Sequence, residues 1–276
     1  MGDSGARDVP DPASRRARTP DGARRNTKMA EANGPGRYET LMEVMRERRS
    51  IRRFQPRPVP RALALKALEA ARCASSGANI QPWEFLLIDE ERGVRHIAEI
   101  LTRERKYIVA RDPRFPPLGR AFHKDVPLYI LILGDTRLKG AFPQTTDLVV
   151  DITLYASLAM ATCQLHLAIE ALGLGTYFHT PEEPTERELK AWLGIPAPMT
   201  IFSIAPVGFP RVRRTSARRP LEEMVHWNAY DLARYRSDAE VTALLRRRVI
   251  AIAMSGRWPQ AMEEVAAASG RGRPSR

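Results

Sequence analysis

The segment 147-DLVVDITLYASLAMATCQLHLAIEALG-173 is apolar around almost its whole circumference, and no other stretch limits so strongly what this chain can become. A helix without a polar face has to be covered on all sides, either at the centre of a fold or against a partner chain. It closes at Gly173, a residue that readily ends helices. Unbroken apolar runs elsewhere stay short. The run 126-VPLYILILG-134 is only strand length, below the roughly 18 residues of a membrane span, so no spanning helix and no membrane partner are expected. Cys73 and Cys163 stand far apart, which disfavours a disulfide framework and a zinc ribbon. With 43% hydrophobic and 28% charged residues among 276, the expectation is a globular cytoplasmic protein with a packed core.

Around the apolar helix the periodicity is mixed. Helical patterns run through 38–49, 60–74 and 185–194, the second opening on a proline that a first turn tolerates. Strand-like runs cover 83–89, 127–134, 176–178 and 200–208, each bounded by Pro, Gly or Asp. Helices and strands interleave without a regular βαβ repeat, which predicts an α+β fold with a small mixed sheet wrapped by helices. Residues 1–36 are rich in Gly, Pro, Ser, Asp and Arg and cannot bury enough surface to offset ordering, so a disordered tail is expected there. The domain is expected over 37–258, followed by a polar tail at 259–276. An amphipathic helix at 237–256 is expected to embrace a partner subunit.

The 44 Lys and Arg exceed the 32 Asp and Glu, a net charge of +12. The surplus is scattered, without a recognition helix or an aromatic-interleaved basic platform, so specific nucleic-acid binding is not expected. A phosphorylated or anionic ligand accounts for it more economically. Other chemistries drop out for want of their motifs. The turn 173-GLG-175 has Phe178 where a dinucleotide fingerprint needs a third glycine, and GxxxxGK[ST], HExxH, GxSxG and CxxC are absent.

Two segments carry chemistry. In 46-RERRSIRRF-54, Arg48, Ser50 and Arg52 alternate before an extended Pro-rich stretch, so that two guanidiniums and a hydroxyl converge if the chain is extended. That set suits a phosphate dianion; a solvated basic helix end is the plainer alternative. In 74-ASSGANIQPWEFLLID-89, Gly77 and Ala78 permit close approach to the backbone, and Asn79 and Gln81 offer amides that match an imide edge. Alone, this is a plausible tight loop.

Together, Arg-x-Ser-x-Arg, a helix, and Ser-Ser-Gly-x-Asn-x-Gln-Pro-Trp resemble the FMN-dependent nitroreductase family. The likeness continues in 168-AIEALGLGTYFHT-180 and 218-RRPLEEMVHW-227. The resemblance implies the nitroreductase-like α+β fold and a homodimer with a large helical interface holding FMN. It implies an oxidoreductase that takes hydride from NADH or NADPH and passes it by a ping-pong route to a nitroaromatic, quinone or related small acceptor. Arg48, Arg49, Ser50 and Arg52 match ligands of the flavin phosphate and ribityl chain, and Arg219 matches a phosphate-binding arginine from the C-terminal region. Asn79 and Gln81 match groups at the flavin ring, and Ser75, Ser76 and Gly77 match the turn that reaches the partner's flavin. No metal is implied.

The sequence departs from the family in informative places. Where many relatives carry two glycines, and a backbone N–H meets flavin N5, this chain has Thr180 and Pro181. Proline lacks an N–H, so Thr180 or its neighbour is the candidate donor. An insertion at 101–125 lies where relatives place a lid. Three alternatives follow: a flavin-binding module with little turnover, a flavin-consuming enzyme, and a reductive dehalogenase of a phenolic substrate. The last would use a lid triad, for which Glu104, Tyr107 and Arg120 or Lys124 are the nearest candidates. His166 reads as an ordinary core or interface histidine.

Overall fold

The strand predicted from 127–134 lies inside the sheet, and its alternating side chains feed two separate cores. The structure is a computed structural model that describes residues 36–111, 123, 125–141, 146–213 and 218–244. In chain order its elements are α1 (Arg37–Glu47), α2 (Arg61–Arg72), β1 (Trp83–Ile88), α3 (Glu91–Arg111), β2 (Leu128–Asp135), α4 (Asp147–Ala171), β3 (Gly175–Thr176), α5 (Glu183–Leu193) and β4 (Met199–Gly208). The chain divides into units 1–46 and 47–276; α1 falls almost wholly in the first and buries none of its residues.

The strand order is β1-β2-β4-β3, with every neighbouring pair antiparallel. The parallel element of the sheet is an isolated bridge between Ser50 and Thr176. Because successive side chains on a strand point to opposite faces, Leu128, Ile130 and Ile132 enter one core and Tyr129, Leu131 and Leu133 the other. The first core is closed by Ala64, Ala67 and Ala71 of α2 and by Leu154, Leu158, Ala161, Leu165 and Ile169 of α4. The second is closed by Ile97, Ile100 and Leu101 of α3, Leu189 of α5, and Ile51 and Phe54 of the segment after α1. Burying each large side chain of this kind contributes about 1.5–3 kcal/mol before entropy.

The main helices and strands match expectation to within a few residues. The exception is α3: no helix was expected over 91–100, and its second half falls in the expected insertion at 101–125. Residues 101–111 are helical and packed, and 112–122 with 124 lie outside the described residues. Of the segment 237–256, residues 238–244 are helical and the remainder is not described; both polar tails, apart from Gly36, also lie outside the described residues.

By length and composition α4 is apolar enough to cross a membrane, a property it shares with core helices, although polar residues interrupt its apolar run. The hydroxyls of Thr153, Ser157 and Thr162 donate to the helix's own carbonyls at Val149, Thr153 and Leu158, at 2.7, 2.7 and 2.8 Å. Here one side of α4 packs into the first core, while Leu148, Val149, Ile152, Tyr155 and Met160 remain exposed.

Two predictions follow from the packing. A Cβ on Gly175 would stand 2.5 Å from Ile51 Cγ1 and 2.7 Å from Ile51 Cβ. Gly175→Ala is therefore expected to destabilise the fold by about 1–3 kcal/mol, read as a lowered urea midpoint. His123 and His166 are buried, and burial pushes both imidazoles down to about 4; His179 adds to the effect at His123 against Glu104, and Arg48 adds to it at His166. Folding thus favours their neutral forms. Their contribution is complete above the unfolded value of about 6.5 and is lost as pH falls towards 4. Urea midpoints should drop across that window, and His166→Asn should flatten the drop.

Candidate active site

The Arg48–Arg52 segment is extended, and its orientation is decided by Ile51. That side chain is almost fully buried in the second core, and its N–H donates to the Thr176 carbonyl at 2.9 Å. With Ile51 inward, Ser50 and Arg52 face outward, as alternation requires. Gly175 permits the close approach, since any side chain there would strike Ile51. The segment is held further along by Arg211 N–H to Arg53 O and Gln55 N–H to Phe209 O, both 2.9 Å.

Positive charge accumulates on this side. Arg48 and Arg49 are half-buried, and the Arg49 Nη1 donates to the Arg48 carbonyl at 2.8 Å. The Arg52 guanidinium lies 5.4 Å from the centroid of the Tyr177 ring. Arg105 of α3 is close enough that burial and the charge of Arg52 together lower its guanidinium below the ordinary value. Beside Arg48, the buried ring of His166 has an Nε2 with no hydrogen-bond partner among the described residues. Phe178, half-exposed, meets His166 edge-on with ring centroids 6.4 Å apart. Guanidiniums, an outward hydroxyl, an unsatisfied imidazole nitrogen and an open aromatic ring fit a ligand with an anionic end and a flat apolar body.

The turn 75–81 is a strained piece of backbone. Ala78, Asn79 and Gln81 have φ of 48°, 55° and 47°, in the left-handed region that side-chain-bearing residues seldom adopt. The turn is tied down from both sides: Gly77 N–H donates to Ser157 Oγ at 3.2 Å, Ser75 Oγ donates to Met160 Sδ at 3.1 Å, and Gln81 N–H donates to Ser76 Oγ at 3.0 Å. Asn79 and Gln81 are exposed and joined by a 3.3 Å bond from Gln81 Nε2 to Asn79 Oδ1. The turn is thus seated near Ser157 and the basic segment near His166, which on α4 are roughly 14 Å apart along the axis at 1.5 Å per residue.

The other predicted residues fall in different places. Thr180 is exposed next to buried Pro181, on the strand edge that continues from β3. Arg219 contacts Glu223, at 3.3 Å to both the carboxylate and the carbonyl, and lines a cavity of about 430 Å³ built by the C-terminal segment.

Glu104 requires a correction to the lid-triad expectation. Its side chain is turned inward, 1% exposed, and contacts His179 Nε2 at 2.7 Å, close but bent from ideal hydrogen-bond alignment. It also accepts the Glu182 N–H at 2.6 Å. Burial alone would raise its carboxyl; His179, Glu182 N–H and Thr185 hold it below the ordinary carboxylate range. Tyr107 pairs with Arg111, and Arg120 and Lys124 lie outside the described residues. Glu104 had a detectable signal: it repeats Ile97, Ile100 and Leu101 at helical spacing, a carboxylate on an apolar stripe. His166 and Phe178 carried no such mark.

A sequence model of the nitroreductase family matches residues 45–209. An iodotyrosine deiodinase of Thermotoga neapolitana is 27% identical over 179 residues, covering 62% of this chain and 88% of that protein. An NADH dehydrogenase of Thermus thermophilus is 26% identical over 209 residues, covering 66% and 92%. The crystal structure of an oxidised iodotyrosine deiodinase bound to FMN and 3-iodo-L-tyrosine superposes with a TM-score of 0.57 at 24% identity, covering 69% of this chain and all of that one. The matched span contains the basic segment, the strained turn and all four strands, and the chain belongs to the nitroreductase family.

Proposed function

We propose that this protein is an FMN-dependent oxidoreductase that carries hydride from NADH or NADPH to a small organic acceptor such as a nitroaromatic or a quinone. The observation that carries this reading is the outward Ser50 and Arg52 beside half-buried Arg48, on a segment locked against β3, with His166 Nε2 near it lacking a partner among the described residues. FMN, when bound, supplies the two-electron chemistry by accepting hydride and passing it on. The chain's own part is to hold and orient. Arg48, Arg49, Ser50 and Arg52 would hold the phosphate and polar chain of FMN, and Asn79 and Gln81 would offer amides to its imide edge.

A second copy completes the site in this reading. The roughly 14 Å between the seats of the turn and of the basic segment along α4, and the exposed Leu148, Val149, Ile152, Tyr155 and Met160, support a homodimer in which one chain's turn faces its partner's basic segment. The exposed free thiols of Cys73 and Cys163 support a reducing, cytoplasmic setting. Reductive dehalogenation of a phenolic substrate is the second reading, favoured by the deiodinase relatives. With Glu104 engaged inside the fold, it would need a different lid carboxylate.

Two experiments test this. Arg48→Ala and Arg52→Ala should each weaken FMN binding about 10- to 100-fold, the size of a lost charge-assisted bond. Riboflavin binding should change less for Arg48→Ala, because riboflavin lacks the phosphate; equal losses for both ligands would refute the phosphate assignment. Anaerobic mixing of FMN-loaded protein with NADH or NADPH should bleach the visible flavin band. Bound FMN that neither donor bleaches would favour a binding module, and turnover of halophenols but not of nitroaromatics or quinones would favour the dehalogenase.

A further inference from the structure

Glu104 occupies an interior position on α3, with partners for its carboxylate outside that helix. Its partners come from one stretch of chain elsewhere: the His179 imidazole at 2.7 Å, the Glu182 N–H at 2.6 Å, and the Thr185 side chain. A buried carboxylate is costly unless several donors meet it, so these contacts tie 179–185 firmly to α3. The same stretch is held from the opposite side, where His179 O accepts the Ile204 N–H of β4 at 2.8 Å. The anchors straddle Thr180 and Pro181. Pro181 is buried and its ring fixes φ, while Thr180 is exposed and its N–H has no partner among the described residues. The strand carrying it lies beside the basic segment, through the Ser50–Thr176 bridge and the Arg52 guanidinium over Tyr177.

We propose that Glu104 and His179 are a positioning pair that fixes the Thr180 N–H as a donor into the cofactor site, a role that rests on the FMN reading above. A donor held towards a ring nitrogen stabilises the oxidised ring, whose nitrogen accepts, over the reduced ring, whose nitrogen carries hydrogen. Loosening the pair should therefore make the bound flavin easier to reduce.

The test is an anaerobic dye-coupled redox titration of FMN-loaded dimer for wild type, Glu104→Ala, Glu104→Gln and His179→Gln. Glu104→Ala and His179→Gln are expected to shift the midpoint potential to more positive values. Glu104→Gln, which still accepts the Glu182 N–H, should fall between them and wild type. Folded, FMN-loaded variants with an unchanged or more negative midpoint overturn the proposal, even if their thermal stability has dropped, because a purely structural pair would produce that result. If Glu104→Ala does not fold, the near-isosteric Glu104→Gln and His179→Gln carry the same readout. Wild-type protein that takes up no FMN overturns the cofactor reading, and this inference with it.

Discussion

The Ile51 side chain fills the space that a Cβ on Gly175 would occupy, and the arrangement of charge at the site follows from that seat. A β-branched residue in a core has few positions open to it, so its neighbours on the chain have no choice of face. Ser50 and Arg52 turn outward, Phe54 turns inward, and the Arg53 and Gln55 backbone is caught by Phe209 and Arg211 just beyond β4. Like charges gathered on one surface repel one another, and an exposed arginine would ordinarily sample many rotamers. Packing beneath the segment offsets that tendency. The binding surface is therefore organised from the core outward.

The apolar helix α4 serves two surfaces at once. Its buried side joins α2 and the sheet, and its other side leaves large apolar residues exposed. Ser157 and Met160 on that helix also seat the strained turn, and His166 further along borders the basic segment. One element thus carries the core, the candidate dimer face and supports for both halves of the site. Its hydroxyls are satisfied by its own carbonyls, which lets it do so without a polar stripe.

On the opposite side of the sheet, α3 brings Arg105 near Arg52 and meets the 179–185 stretch through Glu104. Burial should have pushed the Glu104 carboxyl towards its neutral form; the donors drawn from 179–185 outweigh that. Close neighbours, His123 at the Tyr129 hydroxyl and Tyr177 beneath Arg52, make this a polar region inside an apolar layer. A region of that kind is sensitive to protonation and geometry in a way that the alanine-lined contact of α2 with α4 is not.

Much of this was legible beforehand because it is written in local pattern. The strand β2 shows as an unbroken apolar run, α4 as a helix without a polar face, and Arg-Ser-Arg as an alternation whose outward side is chemical. Even the unusual turn is visible as Ser-Ser-Gly-x-Asn-x-Gln, although its left-handed φ values at Ala78, Asn79 and Gln81 are not. The pairings that only three dimensions make were hidden. Glu104 and His179 are 75 positions apart, and although Glu104 falls on the apolar stripe of its helix, nothing in the pattern names the partner it meets there. Likewise, nothing in the pattern marked Glu223 as a partner of Arg219. Short-range periodicity determines which residues face in and which face out, because it depends on backbone geometry alone. Which buried charge meets which donor is decided by the tertiary fold, because desolvation penalises every unpaired choice and only the packed layers select the partner.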